Sequence, residues 1–267
     1  MKSLFKESVI CSTCLDWKGS ISARQVLGVL DEICFQLKLK PKIWLASGVE
    51  CGNIKGEKHI RHEIESGRQV YDLTIRNRNL ENISFWDFSL IFFNNKQSGN
   101  EKSLSVLQMA INSDRYKIDM DVFSDRVQTL VDANAYFTYG YAFVTNYENN
   151  VENYGPGMAL GGIYDEKRED NSKWYYNLLS SADHQARNEH RLGKQRFPYS
   201  INYLSENHLS KKIDGIKFID WIERSNGLLG VVEKIGLNLW KWRLNSEQQM
   251  QILNHPQIKN IFLSIEQ

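Results

Sequence analysis

Proline is scarce, and so is any long apolar run. Only 4 prolines interrupt the 267 residues, so elements can be long and connections modest. No apolar stretch approaches the roughly 18 residues that cross a bilayer as a helix. The opening Met1-Lys2-Ser3-Leu4-Phe5-Lys6-Glu7 has no apolar core of the kind a secretory signal carries. Cysteine is limited to Cys11, Cys14, Cys34 and Cys51, all in the first fifth of the chain, which is no disulfide framework. An excess of one charge is missing too. The 33 Lys+Arg against 32 Asp+Glu leave a net charge of +1, without the basic surplus of a dedicated nucleic-acid binder. These absences predict a cytoplasmic protein whose partners are neither membrane nor nucleic acid.

Hydrophobic residues at 42% and charged residues at 24% exclude disordered and fibrous classes. The 7 Trp and 12 Tyr add large side chains for cores or interfaces. Ser8–Leu15 reads as a strand, and Ser20 or Ser22 caps a helix in which Ile21, Val26, Leu27, Leu30, Ile33, Cys34 and Leu37 recur at helical spacing. Lys40-Pro41 ends it, and Lys42–Ser47 is the next strand. His59–Ser66 is a short polar helix, and Gln69–Ile75 alternates as a strand. Phe85–Phe93 and Leu104–Ile111 are joined by the turn-rich Asn94–Asn100, a hairpin signal. A helix through Val122, Val127, Leu130 and Val131 ends near Asn134. In Tyr136–Thr145, Phe137, Tyr139, Tyr141 and Phe143 are predicted to share one face. Ile216–Arg224 is expected as helix, Leu237–Leu244 as strand, then a helix capped by Asn245 or Ser246 and stopped by Pro256. Strands outnumber helices and the two are mixed, which predicts an α+β fold with a largely antiparallel sheet. The organisation is one domain over residues 1–267, with two lobes, 1–113 and 114–267, as the alternative.

Candidate chemistry is sparse. Cys11-Ser12-Thr13-Cys14 has redox or metal spacing, but it sits in a strand rather than at a helix start and has no second pair, so buried inert thiols are expected. His59, His62 and Glu63 could converge on a metal from one helix face. This is the basis of the alternative reading, a metal-dependent enzyme of unknown substrate. The arrangement is not a zincin motif, and a solvated helix face competes with it. Gly155–Gly162 is glycine-rich, yet it lacks the Lys and Ser/Thr of a phosphate loop and the strand and helix of a dinucleotide loop. With no nucleophile elbow, the reading is non-catalytic, with no cofactor and no metal.

Charge distribution is more informative. Residues 114–170 hold 11 acids (Asp114, Asp119, Asp121, Asp125, Asp132, Glu148, Glu152, Asp165, Glu166, Glu169 and Asp170) against 5 bases, net −6, while the remainder is +7. Ordinary solvated surface is the plain explanation. The sharper one is an acidic, Tyr-bearing surface that docks a basic partner, with Glu148, Glu152, Tyr154, Asp165, Glu166, Glu169 and Asp170 as its contacts.

In the C-terminal third, Phe197–Leu209, Trp221-Ile222, Gly227-Leu228-Leu229 and Leu239-Trp240-Lys241-Trp242-Arg243-Leu244 resemble segments of the bacterial type VI secretion and polymorphic-toxin immunity proteins, particularly the immunity 52-like class. Tyr139-Gly140-Tyr141-Ala142-Phe143 is similar too, so residues 136–245 carry most of the likeness. The resemblance implies an α+β protein that binds and blocks a co-encoded toxin in bacterial competition, with a nuclease as the implied target. It supplies no catalytic residues. Trp221, Trp240 and Arg243 match its pattern, with core packing the expected role of both Trp.

Overall fold

The computed structural model describes residues 7–15, 17–78, 86–94, 105–146, 193, 195, 197–257 and 261–262. The strands are β1 (Ser8–Leu15), β2 (Ile43–Gly48), β3 (Gly52–Lys55), β4 (Val70–Arg78), β5 (Trp86–Phe93), β6 (Val106–Asn112), β7 (Tyr139–Asn146), β8 (Ile201–Leu204), β9 (Lys212–Ile213), β10 (Ile216–Lys217), β11 (Val231–Lys234) and β12 (Trp240–Arg243). The helices are α1 (Ala23–Leu37), α2 (Glu57–Glu65), α3 (Ser113–Tyr116), α4 (Met120–Asn134), α5 (Glu206–Leu209), α6 (Phe218–Arg224) and α7 (Ser246–Leu253). Ten strands form one sheet in the order β11-β12-β8-β7-β1-β6-β5-β4-β2-β3. Each neighbouring pair is antiparallel. The fold is the mixed α+β class with the antiparallel sheet that the sequence predicts.

β1 lies between β6 and β7 and runs antiparallel to both. β6 and β7 are therefore parallel to each other, and α3 and α4 carry the chain between them over β1. Local chemistry fixes the long helices. Ser22 caps α1 in a reciprocal box with Gln25, and Asp119 caps α4 by accepting from the Val122 amide at 3.1 Å. Strand alternation then sorts β1 between two cores. Ile10 and Cys14 join the first core, with Leu30 of α1, Ile60 of α2 and Val127 of α4. Val9, Cys11 and Leu15 face the second, with Trp242, Phe218 of α6 and Ile252 of α7. Gln128 reaches from α4 to Ser12 Oγ and the Thr13 carbonyl at 3.1 and 3.0 Å. That close approach requires Gly140 on β7, because a Cβ there would collide with the Gln128 amide oxygen.

Four expectations need correction. The expected helix over Ile216–Arg224 begins only at Phe218. Asp214 and Gly215 adopt positive φ, +49° and +82°, and turn β9 back onto β10 as a tight hairpin before the helix starts. β3 was not foreseen; it pairs with β2 as a short edge strand. The strand expected over Leu237–Leu244 shrinks to Trp240–Arg243, because Asp132 accepts the Leu237 and Asn238 amides at 2.6 and 2.9 Å and holds a turn there. Phe137 precedes β7 and packs in the first core, whereas Tyr139, Tyr141 and Phe143 pack in the second.

Candidate interaction surface

Alternation along β12 decides the chemistry at one end of the sheet. Trp242 lies in the second core, so Lys241 and Arg243 project to the opposite face, where α4 packs. Lys241 stands between Tyr203 and Glu233 in the strand register. Its side chain is 0% exposed, and Nζ lies 2.9 Å from carboxylate oxygens of both Asp121 and Asp125. The Tyr203 hydroxyl donates to Asp125 Oδ1 at 2.6 Å and lies 2.7 Å from Ser124 Oγ. Arg243 extends the network, with Nε 3.3 Å from Asp121 Oδ2 and Nη1 2.7 Å from Glu233 Oε1.

The electrostatics follow from these contacts. Burial works against the Asp121 carboxylate, but hydrogen bonds and charges from Lys241 and Arg243 together outweigh it and hold its pKa below the ordinary value. For Tyr203, burial and then the neighbouring Asp125 charge both push the phenol pKa up. At neutral pH Asp121 stays ionised and Tyr203 protonated, so neither is poised to exchange a proton near pH 7. The cluster fastens α4 to β8 and β12.

Beside it α4 has its N-terminal end. A groove of 510 Å³ opens between the start of α4, the β11–β12 edge and the start of α7. Met120, Ile201, Val231 and Leu244 supply apolar walls, and Asp119, Asp121 and Arg243 stand among its lining. Val231 remains 59% exposed, and Val122, on the first turn of α4, 52%.

The contacts expected from charge alone, Glu148, Glu152, Tyr154, Asp165, Glu166, Glu169 and Asp170, lie outside the described residues, as does the glycine-rich 155–162 stretch. The five other acids of the 114–170 segment serve the fold. Asp114 accepts from the Ser8 amide at 2.7 Å, Asp119 caps α4, Asp121 and Asp125 bind Lys241, and Asp132 holds the 236–238 turn. A charge count cannot distinguish these inward roles from free surface.

His59, His62 and Glu63 share α2. Glu63 is buried and paired, with Arg68 Nη1 2.7 Å from Oε2 and His59 Nε2 3.5 Å from Oε1, while His62 is exposed. Among the described residues, no group of three or more His, Cys, Asp or Glu stands together to hold a metal. Cys11 and Cys14 are three apart on a strand, so their thiols point to opposite faces and opposite cores. Burial, with a smaller contribution from Asp31, pushes the Cys34 thiol up to about 11, and burial also raises Cys51. Raised thiols are poor nucleophiles at neutral pH. Trp221 and Trp240 pack against the second core. The Trp221 indole donates to the Ile213 carbonyl at 3.2 Å, and Lys234 lies 5.0 Å from the Trp240 ring.

Neither a family model nor a curated protein matches the sequence. A solved structure shares the fold. The Pseudomonas aeruginosa T6SS protein PA0821 aligns over 88% of this chain and 65% of its own, with a TM-score of 0.52 and 11% identity. The chain thus spans just under two thirds of that protein's length, and at this identity the likeness is one of fold. Among the described residues no helix is long and apolar enough to cross a membrane.

The Lys241 network was missed in the sequence, although a signal existed. Lys241 is a lone cation between two Trp, and alternation predicts that it faces away from the layer its neighbours occupy. What it faces depends on α4, more than 100 residues earlier.

Proposed function

We propose that the chain is an immunity protein: it binds a cognate bacterial toxin, a nuclease effector in a type VI secretion setting, and neutralises it stoichiometrically by blocking its active site. It acts in the cytoplasm by binding, not by catalysis, and needs no cofactor. The observation that carries this reading is the fold likeness to a T6SS protein over 88% of the chain. The segments that resemble immunity proteins support it. Tyr139–Phe143, Ile201–Leu204 and Trp240–Arg243 belong to β7, β8 and β12, which are successive neighbours in one sheet. Motifs separated by up to 100 residues thus form one structural block. The acidic residues from Glu148 to Asp170 provide carboxylates suited to a phosphate-binding cleft lined with Lys and Arg.

The test is co-expression with the toxin encoded beside this gene. Rescue of growth, with a one-to-one complex on size exclusion and loss of nuclease activity in the purified mixture, is the expected result. A toxin that stays lethal and elutes separately would refute the proposal. Reversing Glu148, Glu152, Asp165 and Glu166 to Lys then tests the acidic contacts, which predict weaker binding, most of all at low salt.

A further inference from the structure

We infer that the groove between the start of α4 and the β11–β12 edge receives a basic segment of the toxin, with an apolar side chain seated between flanking Lys or Arg. This inference rests on the immunity reading and deepens it, because it assigns a contact to residues of α4, β11 and β12 in addition to the acids of 148–170.

Three features converge there. The groove is open and its walls are largely apolar, yet Val231 at its margin is 59% exposed. Val122, next in sequence to the lining residue Asp121, is 52% exposed, so Val231 at the cleft and Val122 on the same helical turn as Asp121 are both exposed aliphatics. Second, the charge near the groove is unbalanced. Among the described residues, Asp121 and Asp125 share Lys241, Asp121 and Glu233 share Arg243, and Asp119 lines the groove beside them. Asp119 is exposed, and Asp121 keeps 40% of its side chain in solvent while binding both cations. That excess selects a cationic partner and repels an acidic one. Third, β11 is the last strand of the sheet, and among the described residues no strand pairs with its outer side, the arrangement to which an incoming chain can add. A small polar ligand is a poorer match, because Asp121, Arg243 and Glu233 already bind one another. Burial of an apolar side chain would supply the affinity, and the carboxylates would steer its approach.

The experiment titrates the catalytically inactivated product of the adjacent toxin gene into the full chain, at low and high salt, with three variants. Val231→Lys places a cation at the margin and should weaken binding about tenfold or more. Asp119→Asn removes a charge while keeping a helix-capping side chain, and should weaken binding about two- to fivefold at low salt, converging with wild type at high salt. The third variant carries Glu148, Glu152, Asp165 and Glu166 all as Lys. Thermal melts establish that each variant folds, and if Val231→Lys does not, Asp119→Asn and hydrogen exchange decide. Complex formation should protect the amides of residues 231–234 and the first turn of α4. Wild-type affinity in both groove variants, or protection confined to other segments, overturns the inference while the immunity reading stands. A wild-type chain that binds no toxin overturns both.

Discussion

Asp72 and Asp121 lie at opposite ends of one sheet and on opposite faces, and burial acts on both in the same direction. At Asp72, on β4, it wins, and the carboxyl pKa rises above the ordinary 3.8. At Asp121, on α4, Lys241 and Arg243 outweigh it, and the pKa falls below 3.8. Asp72 has no ion-pair partner among the described residues. It lines a 290 Å³ depression with Leu45, Ser47, Asn53, Lys55 and Thr74, on the face that α1 and α2 leave open. The difference shows that two cations reverse at Asp121 the effect of burial that prevails at the deeper Asp72. Those cations come from β12, more than 100 residues away in sequence.

The sharpest way to break the contrast is Lys241→Met. It removes the buried cation shared by Asp121 and Asp125, and should cost about 2–3 kcal/mol in urea unfolding, because the part-exposed carboxylates left behind can still be hydrated. In the same variant the Asp121 titration followed by NMR should move upward, toward the behaviour of Asp72. An unchanged Asp121 would mean that Arg243 alone controls it.

Asp132→Ala should cost less, about 1–3 kcal/mol, because it leaves the Leu237 and Asn238 amides without their acceptor. The loss should appear as a lower denaturation midpoint. Hydrogen exchange should quicken at residues 236–239.

The pH response should separate the two aspartates by sign. Asp121, with its lowered pKa, contributes stability that is fully present above 3.8 and lost as pH falls through the folded value below it. Asp72, with its raised pKa, binds its proton more tightly in the folded state, so stability falls as pH climbs from 3.8 through the folded value. Asp72→Asn should therefore flatten that upper window and gain about 0.5 kcal/mol at pH 7, whereas Asp121→Asn should flatten the lower window and lose stability at pH 7. Unfolding curves from pH 2 to 7 would reveal a reversed order.

The smallest effect is expected at Cys11 and Cys14. Their thiols lie on opposite faces of β1, so mild oxidation of the folded chain should not join them, and the midpoint should not move. A mass decrease of two hydrogens, mapped to a peptide linking the two, would contradict this.

Much of the fold was legible because it is written in local patterns. The box of Ser22 and Gln25, the Asn245 cap, the aromatic alternation of Tyr139, Tyr141 and Phe143, and the hairpin signal between β5 and β6 all depend on residues close in sequence. β3 escaped because Gly52-Asn53-Ile54-Lys55 has one buried side chain and no apolar run to reveal it. The site was less legible. The charge count over 114–170 combines Asp119, Asp121, Asp125 and Asp132, which answer donors within the fold, with the acids from Glu148 to Asp170, which lie outside the described residues, and a count is blind to direction.

Local sequence dictates the fold class, most of the elements and their caps, since propensity, alternation and capping act within a few residues. It also dictates that Cys11 and Cys14 face opposite ways, because three steps along a strand reverse a side chain. Tertiary packing alone settles that β1 lies between β6 and β7, that Lys241 is buried against Asp121 and Asp125, and that a groove opens at the start of α4. Those outcomes bring together residues up to 138 positions apart, Ser8 and Asn146. Their energies depend on which surfaces meet and which cations arrive, and no local pattern encodes that.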